Sequence, residues 1–253
     1  MIRSHVGAKA PFAVSALLAL VAAPFASALD EAAGKEFDRF DTGRGELTIT
    51  FLGHSSLVFE YGGASIYIDP VRQYADFSKF PKADLILVTH EHGDHLDPGA
   101  IAALKKASTR IILNESSRKK LGEGEALEHD RSIQAAGVAV EAVPAYNSSA
   151  GRASYHPKER KDNGYIITVG NLRIYVAGDT EPTPEMARMG SIDIAFLPMN
   201  LPYTMTPEQV AAAARAIRPG ILYPYHFGST ETGLLTKLLA GEPGIDIRVR
   251  KLQ

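Results

Sequence analysis

Cysteine is absent from the 253 residues, which excludes disulfides, thiolate nucleophiles and thiolate metal sites and leaves any metal to nitrogen and oxygen donors. Excess positive charge is missing too: 27 Lys and Arg stand against 29 Asp and Glu, so no global field argues for a nucleic-acid partner. Linkers rich in Pro, Gly or Ser, low-complexity tracts and short repeats are also lacking, and one large domain is the simplest organisation. What the chain does have is a hydrophobic fraction of 45%, ample for a core at this length, and eight histidines.

The first 28 residues read as an address. Arg3, His5 and Lys9 precede an apolar stretch from Phe12 to Ala23, and Ala26-Ser27-Ala28 offers small residues for cleavage. The stretch is broken by Pro24 and falls short of the roughly 20 residues that span a bilayer. A signal peptide cleaved after Ala28 is expected, leaving residues 29–253 as a periplasmic or secreted domain without a stable membrane span; the alternative is an uncleaved anchor. Cleavage removes two bases and no acid, so the mature chain is mildly acidic, with 25 bases against 29 acids.

Beyond a polar lead-in, Leu47–Phe51, Ser56–Tyr61 and Ser65–Ile68 are short apolar runs punctuated by Gly53 and Gly62-Gly63, the pattern of hairpin-linked strands. A buried strand, Leu85–Val88, then opens a mixed region: a helix from Pro98 to Lys106, a strand Arg110–Leu113 and a short helix Ser116–Leu121. The order then repeats, with strands at Val138–Val143, Tyr165–Val169, Arg173–Val176 and Ile192–Phe196 and a short helix after Pro184. Thr206-Pro207-Glu208 opens a helix that Pro219-Gly220 stops. Strands Ile221–Tyr225 and Ile245–Val249 flank a last helix, Glu231–Leu239. Both halves therefore read as copies of one α/β plan.

Thr89-His90-Glu91-His92-Gly93-Asp94-His95 follows directly on the buried strand ending at Val88. Residues two apart in extended chain project to one side, so His90 and His92 can face one cation. Past the turn at Gly93, Asp94 and His95 can face a second. Asp179 and His226 also stand just beyond strands, where α/β sheets gather ligands. Taken alone, His226 would pass for a core histidine and Asp179 for a turn or helix cap. The run from His90 to His95 has no such plain reading beyond a solvated loop. Imidazole with carboxylate suits zinc, manganese or iron.

At these residues, together with Gly53-His54-Ser55-Ser56, Asp69-Pro70 and Ala177-Gly178-Asp179-Thr180, the sequence resembles the metallo-β-lactamase-fold hydrolases. It is most similar to the branch of L-ascorbate-6-phosphate lactonase-like proteins and the N-acylphosphatidylethanolamine phospholipase D group. The resemblance implies a four-layer αββα sandwich with two divalent metal ions, zinc foremost and manganese or iron as alternatives, in the cleft between the sheet edges. It implies His90 and His92 on the first ion, Asp94, His95 and His226 on the second, and Asp179 between them. The family's third first-site histidine falls where this chain has Asn147. Either the Asn147 amide oxygen takes that place, or His156 reaches in from the same loop, or the position stays open; His156 is preferred narrowly.

Two such cations lower the pKa of a shared water toward neutrality and polarise the group under attack, so hydrolysis of a small ester, lactone or phosphodiester is expected. His54 either orients substrate, donates a proton to the leaving group, or merely satisfies backbone groups. The basic run Arg152, His156, Lys158, Arg160 and Lys161 either receives a phosphate or carboxylate on a small-molecule substrate or is a solvated loop. Tyr146, Tyr203 and Tyr225 either line the pocket or pack. The competing function is a metal- or ligand-binding protein without turnover; a β-lactamase role is a weaker third.

Overall fold

Two seven-stranded sheets, built on the same plan, carry the described residues, 34–252 in this computed structural model. In the first, β1 (Glu36–Asp41), β2 (Glu46–Gly53), β3 (Ser56–Tyr61) and β4 (Ala64–Ile68) pair antiparallel. β5 (Leu85–Leu87), β6 (Arg110–Leu113) and β7 (Glu125–Ala126) then continue the sheet in parallel. The second repeats this with β8 (Ser132–Ala135), β9 (Val138–Ala145), β10 (Asp162–Val169) and β11 (Leu172–Val176) antiparallel. β12 (Ile194–Pro198), β13 (Ile221–Tyr225) and β14 (Asp246–Ile247) follow in parallel. The signal-peptide expectation lies outside the described residues, among which no helix is long and apolar enough to cross a membrane.

The period of two in each strand sorts side chains between layers. Ile66, Ile68, Leu85, Leu87 and Ile112 face the core between the sheets. Their neighbours Tyr67, Ile86, Ile111 and Leu113 face outward onto α1 (Pro98–Leu104), where Ala100, Ile101 and Leu104 meet them. Across the central core Phe51 of β2 packs on Tyr223 of β13, ring centroids 5.2 Å apart, and Phe196 of β12 stacks on Tyr223 at 4.9 Å. α3 (Pro207–Ile217) buries Val210, Ala211, Ala214 and Ile217, an i, i+1, i+4, i+7 stripe, against the far face with α4 (Thr232–Leu238) beside it. Helix, sheet, sheet and helix make the expected αββα sandwich.

Where sequence and structure differ, the reasons are local. The polar lead-in, to which no element was assigned, forms β1, because Glu36 to Asp41 pairs residue for residue with Phe51 to Glu46. β7 and β8 are short polar edge strands with little apolar signal. The helix expected after Pro184 is only a 3-10 turn, Met186–Arg188. Pro182 and Pro184 push the residues before them out of the helical region, and Gly190 turns left-handed at φ +74°. α1 ends at Leu104, and α2 (Glu115–Leu121) begins one residue early because Asn114 caps it.

Candidate metal centre

The carboxyl ends of strands from both sheets meet at one edge of the sandwich. β5 runs through Val88 into the loop carrying His90, His92, Asp94 and His95, which the His92 carbonyl turns back by accepting from the amides of His95 (3.1 Å) and Leu96 (2.8 Å). β11 leads to Asp179 and β13 to His226, whose amide donates to the carbonyl of His54 at 3.0 Å and so ties the β2–β3 turn to the other sheet. Both histidines sit in the left-handed region, His54 at φ +54° and His226 at +47°, a conformation non-glycine residues rarely adopt outside constrained sites.

Three groups of donor atoms result, each within a 4.8 Å span: His90, His92 and His156; His54, Asp94, His95 and His226; and His90, His95 and Asp179. Asp179 faces both sides. One of its oxygens is 3.4 Å from His95 Nε2, the other 3.3 Å from His156 Nε2 and 3.2 Å from His226 Nε2. Asp94 Oδ2 lies 3.2 Å from His54 Nε2 and 3.6 Å from His226 Nε2.

Hydrogen bonds behind the donors fix which ring nitrogen faces the centre. The Tyr203 carbonyl can only accept, so His156 Nδ1–H donates to it at 3.1 Å and Nε2 keeps its lone pair. Asp69, fully buried at the end of β4, accepts from the Thr89 amide (2.8 Å), the Thr89 hydroxyl (2.7 Å) and His95 Nδ1 (2.8 Å). Because that hydroxyl proton goes to Asp69, Thr89 Oγ1 accepts from His90 Nδ1 at 3.0 Å. The His90 and His95 rings thereby both turn Nε2 toward the centre, where His90 Nε2 accepts from His92 Nδ1–H at 3.1 Å, a tautomer set by Arg160 donating to His92 Nε2 at 2.9 Å.

Gly178 permits the close approach of the sheets beside Asp179. Its φ is +66°, and a Cβ there would stand 2.7 Å from the Asn163 carbonyl oxygen and 3.2 Å from Thr89 Cβ. Gly178→Ala is expected to cost at least about 1–3 kcal/mol through backbone strain and to displace Asp179, read as a lower melting temperature together with weaker metal binding.

The centre fits metal ions on its own geometry. His95 Nε2, His156 Nε2, Asp179 Oδ1 and His226 Nε2 are buried yet make no properly directed hydrogen bond, although carboxylate oxygens lie within 3.2–3.4 Å of the imidazoles. Buried polar atoms are almost always satisfied. Here the ring nitrogens and carboxylate oxygens converge on shared space, as the donors of a cation do once protons are displaced from the rings.

The protonation states divide the donors. Burial, assisted by His95, holds His90 well below the usual imidazole range, and burial with Arg160 lowers His92 to about 4. For His95, burial is outweighed by Asp179 and Asp69, raising it well above that range; for His226, burial is outweighed by Asp179 and Asp94, pushing it up to about 9. Without metal, His90 and His92 are thus neutral at pH 7 while His95 and His226 hold protons that a cation must displace. Affinity at the His95 and His226 side is expected to rise from pH 6.5 to 9 by about tenfold per unit for each proton released. Competition against a chelator at several pH values checks this. The stability sign is opposite: the raised His226 pKa stabilises the metal-free fold fully below about pH 6.5 and is lost as pH climbs through 9.

Residues 48–226 match the β-lactamase superfamily domain. The chain belongs to that superfamily. Among its relatives, a UPF0173 metal-dependent hydrolase of Pelotomaculum thermopropionicum is 31% identical over 195 residues, covering 72% of this chain and 85% of that protein. The crystal structure of a candidate metal-dependent hydrolase from Parabacteroides distasonis superposes with a TM-score of 0.84 at 54% identity, over 87% of this chain and all of that one. Igni18, a metallo hydrolase of Ignicoccus hospitalis, shares the fold, with a TM-score of 0.68 at 24% identity over 81% of this chain and 95% of its own.

Set in this superfamily fold, the residues singled out in the sequence fall at or beside one centre. His156 stands with His90 and His92. Asn147 stands behind it: its amide nitrogen donates to the carbonyls of Tyr203 (2.7 Å) and Arg152 (3.2 Å), and its backbone amide donates to the His156 carbonyl (2.8 Å). Of the basic run, Arg152 pairs with Glu181 at 2.6 Å and Arg160 with Asp162 at 2.8 Å, whereas Lys158, 3.9 Å from Glu185, and Lys161 are exposed. Of the tyrosines, Tyr203 reaches the cavity, while Tyr225 is buried beneath it with its hydroxyl donating to the Gly178 carbonyl. Tyr146 is also buried and bonds Glu185. Sequence reasoning gave no site role to Asp69, whose position at the end of a buried strand before a proline was the available signal. It also missed the contact of Arg160, whose guanidinium donates to His92 Nε2 at 2.9 Å.

Proposed function

We propose that this protein is an exported metal-dependent hydrolase that holds two divalent ions, zinc foremost, and cleaves a small ester, lactone or phosphodiester. The observation that carries the reading is the convergence of three donor groups linked through His90 and His95, with Asp179 within 3.4 Å of His95, His156 and His226 and Nε2 of each of those three rings buried without a hydrogen-bond partner. Relatives named as metal-dependent hydrolases support it. His90, His92 and His156 would hold one ion, Asp94, His95 and His226 the other, with Asp179 between. Such ions supply Lewis acidity and a water activated near neutral pH. The chain's own part is to keep these donors deprotonated, through burial at His90 and His92, and to aim them, through Asp69, Thr89 and the Tyr203 carbonyl. His54 positions Asp94: burial lowers its pKa, so the neutral ring donates Nε2–H to the carboxylate. The non-catalytic alternative drew on a vacant third histidine position, and His156 beside His90 and His92 removes that motive.

Metal analysis with a hydrolysis screen tests the reading. Two equivalents of zinc or manganese and turnover abolished in Asp94→Ala are expected; tight metal binding with no turnover on any ester, lactone or phosphodiester overturns it. Export rests on the leader reading and predicts that protein recovered from the periplasm or medium begins at Leu29.

A further inference from the structure

The cavity over the donor cluster is about 220 Å³, below the ~300 Å³ at which pockets for drug-sized ligands begin. Its floor is the histidines and carboxylates of the centre; its rim is Tyr155, Asn200 and Tyr203. No lysine or arginine lines it. Arg152 and Arg160, which sequence alone offered as anion receivers, are bound to Glu181 and Asp162. A substrate group extending from the reacting bond toward solvent therefore meets rings and an amide rather than cationic side chains.

The rim is also apolar where it is exposed. Tyr155 and Tyr203 meet edge to face at 5.0 Å. Leu201 and Tyr203, 48% and 46% exposed, flank Pro202 and are two of the four exposed large hydrophobics among the described residues. This strip is pinned in place. The Asn200 carbonyl accepts from the amides of Tyr203 (2.9 Å) and Thr204 (2.8 Å), and the Tyr203 carbonyl accepts from Asn147 and His156. A short loop so held keeps apolar surface in water at about 25 cal/mol for each Å² left uncovered. The same loop orients His156, so the apolar rim and the donor cluster are fixed in one geometry.

We infer that the substrate is an uncharged ester or lactone whose aromatic arm covers Tyr203 and the adjoining Leu201 and packs against Tyr155. This rests on the hydrolase reading above and narrows it: the cleaved group faces the donor cluster, and the arm carries no phosphate or carboxylate. Cleavage adds water across the acyl–oxygen bond, giving a carboxylic acid and an alcohol, so no further reactant is needed.

The test uses the zinc- or manganese-loaded protein and three acetate esters: of ethanol, of benzyl alcohol, and of benzyl alcohol bearing a ring phosphate. Benzyl acetate is expected to exceed both others in kcat/KM by about tenfold or more, and Tyr203→Ala is expected to collapse the benzyl-to-ethyl ratio toward one, chiefly through KM. That variant keeps the backbone carbonyl on which His156 depends. A second readout needs no turnover. The chain has no tryptophan, so Tyr203→Trp installs a single indole at the rim. Its emission is expected to shift to the blue and saturate with 4-phenyl-2-butanone, the ketone isostere of benzyl acetate, but not with benzyl phosphate. Equal kcat/KM for the three esters, or indole emission indifferent to the ketone, overturns the inference and leaves the hydrolase reading standing. Saturable, ketone-selective binding with no hydrolysis of any ester or phosphodiester overturns the hydrolase reading and the substrate assignment with it, leaving only the rim's selectivity for an uncharged aromatic arm.

Discussion

Asp179→Ala is expected to remove turnover to a degree well beyond the 10–100-fold that losing a ligand's hydrogen-bond partner costs, and to lower metal content below two equivalents. The reason is position. Asp179 is 3% exposed and stands within 3.4 Å of a nitrogen on each of His95, His156 and His226, the rings that come from three different loops. Burial opposes its charge, but His226 and His95 outweigh burial and hold it well below the usual carboxylate range, so it is ionised at every pH of interest. Without it, His95 keeps Asp69 and His226 keeps Asp94, but each loses the larger of the carboxylate interactions that raise its pKa. The metal-free variant is therefore expected to fold, with a melting temperature somewhat below that of the parent at neutral pH. What it loses is the rise on adding metal, which for the parent at 100 times the dissociation constant is worth about 2.7 kcal/mol. Thermal melts with and without zinc, alongside metal analysis, separate this from general unfolding; a variant that retains both the metal-dependent rise and turnover refutes the shared position of Asp179.

How much of this centre was legible in the sequence depended on whether the signal was local. His90, His92, Asp94 and His95 occupy six residues behind a strand whose apolar run is unbroken, and Asp179 and His226 each follow a strand of the same kind. Parallel pairing places such positions at the carboxyl edge of each sheet, and the packing of the two sheets brings the edges together. The capping box of Thr206 and Gln209 likewise announces α3. His156 had no local signal. It reaches the centre because a carbonyl 47 residues away, on Tyr203, anchors its far nitrogen and Asn147 braces its backbone. The basic run, read either as an anion receiver or as a solvated loop, divides for the same reason: Glu181 holds Arg152 from 29 residues away and Asp162 holds Arg160, while Lys158 and Lys161 stay exposed. β1 escaped because four of its six residues are charged. It is held by pairing with β2 and by Asp38, which accepts from Arg250 at 2.8 Å and from the Tyr223 hydroxyl, partners far along the chain.

Asp69 is where these lines meet, and its replacement is the second large effect expected. It touches no cation position directly, yet it fixes the tautomer of His95 through one bond and that of His90 through the Thr89 hydroxyl, so one carboxylate orders a donor on each side of the centre. Asp69→Asn keeps the shape but offers an N–H where one of three donors needs an acceptor. It is expected to fold and to bind metal about 10–100-fold more weakly. Asp69→Ala leaves the Thr89 amide and His95 Nδ1–H buried without an acceptor, and is expected to cost about 3–5 kcal/mol of stability, the scale of breaking a buried charged pair. Chemical denaturation of the metal-free variants isolates the stability part, since no cation then contributes; metal competition on the Asn variant isolates the part that acts through the rings. If Asp69→Asn binds zinc as tightly as the parent, the tautomers are held by something other than this carboxylate, and the inward-facing Nε2 atoms of His90 and His95 need another cause.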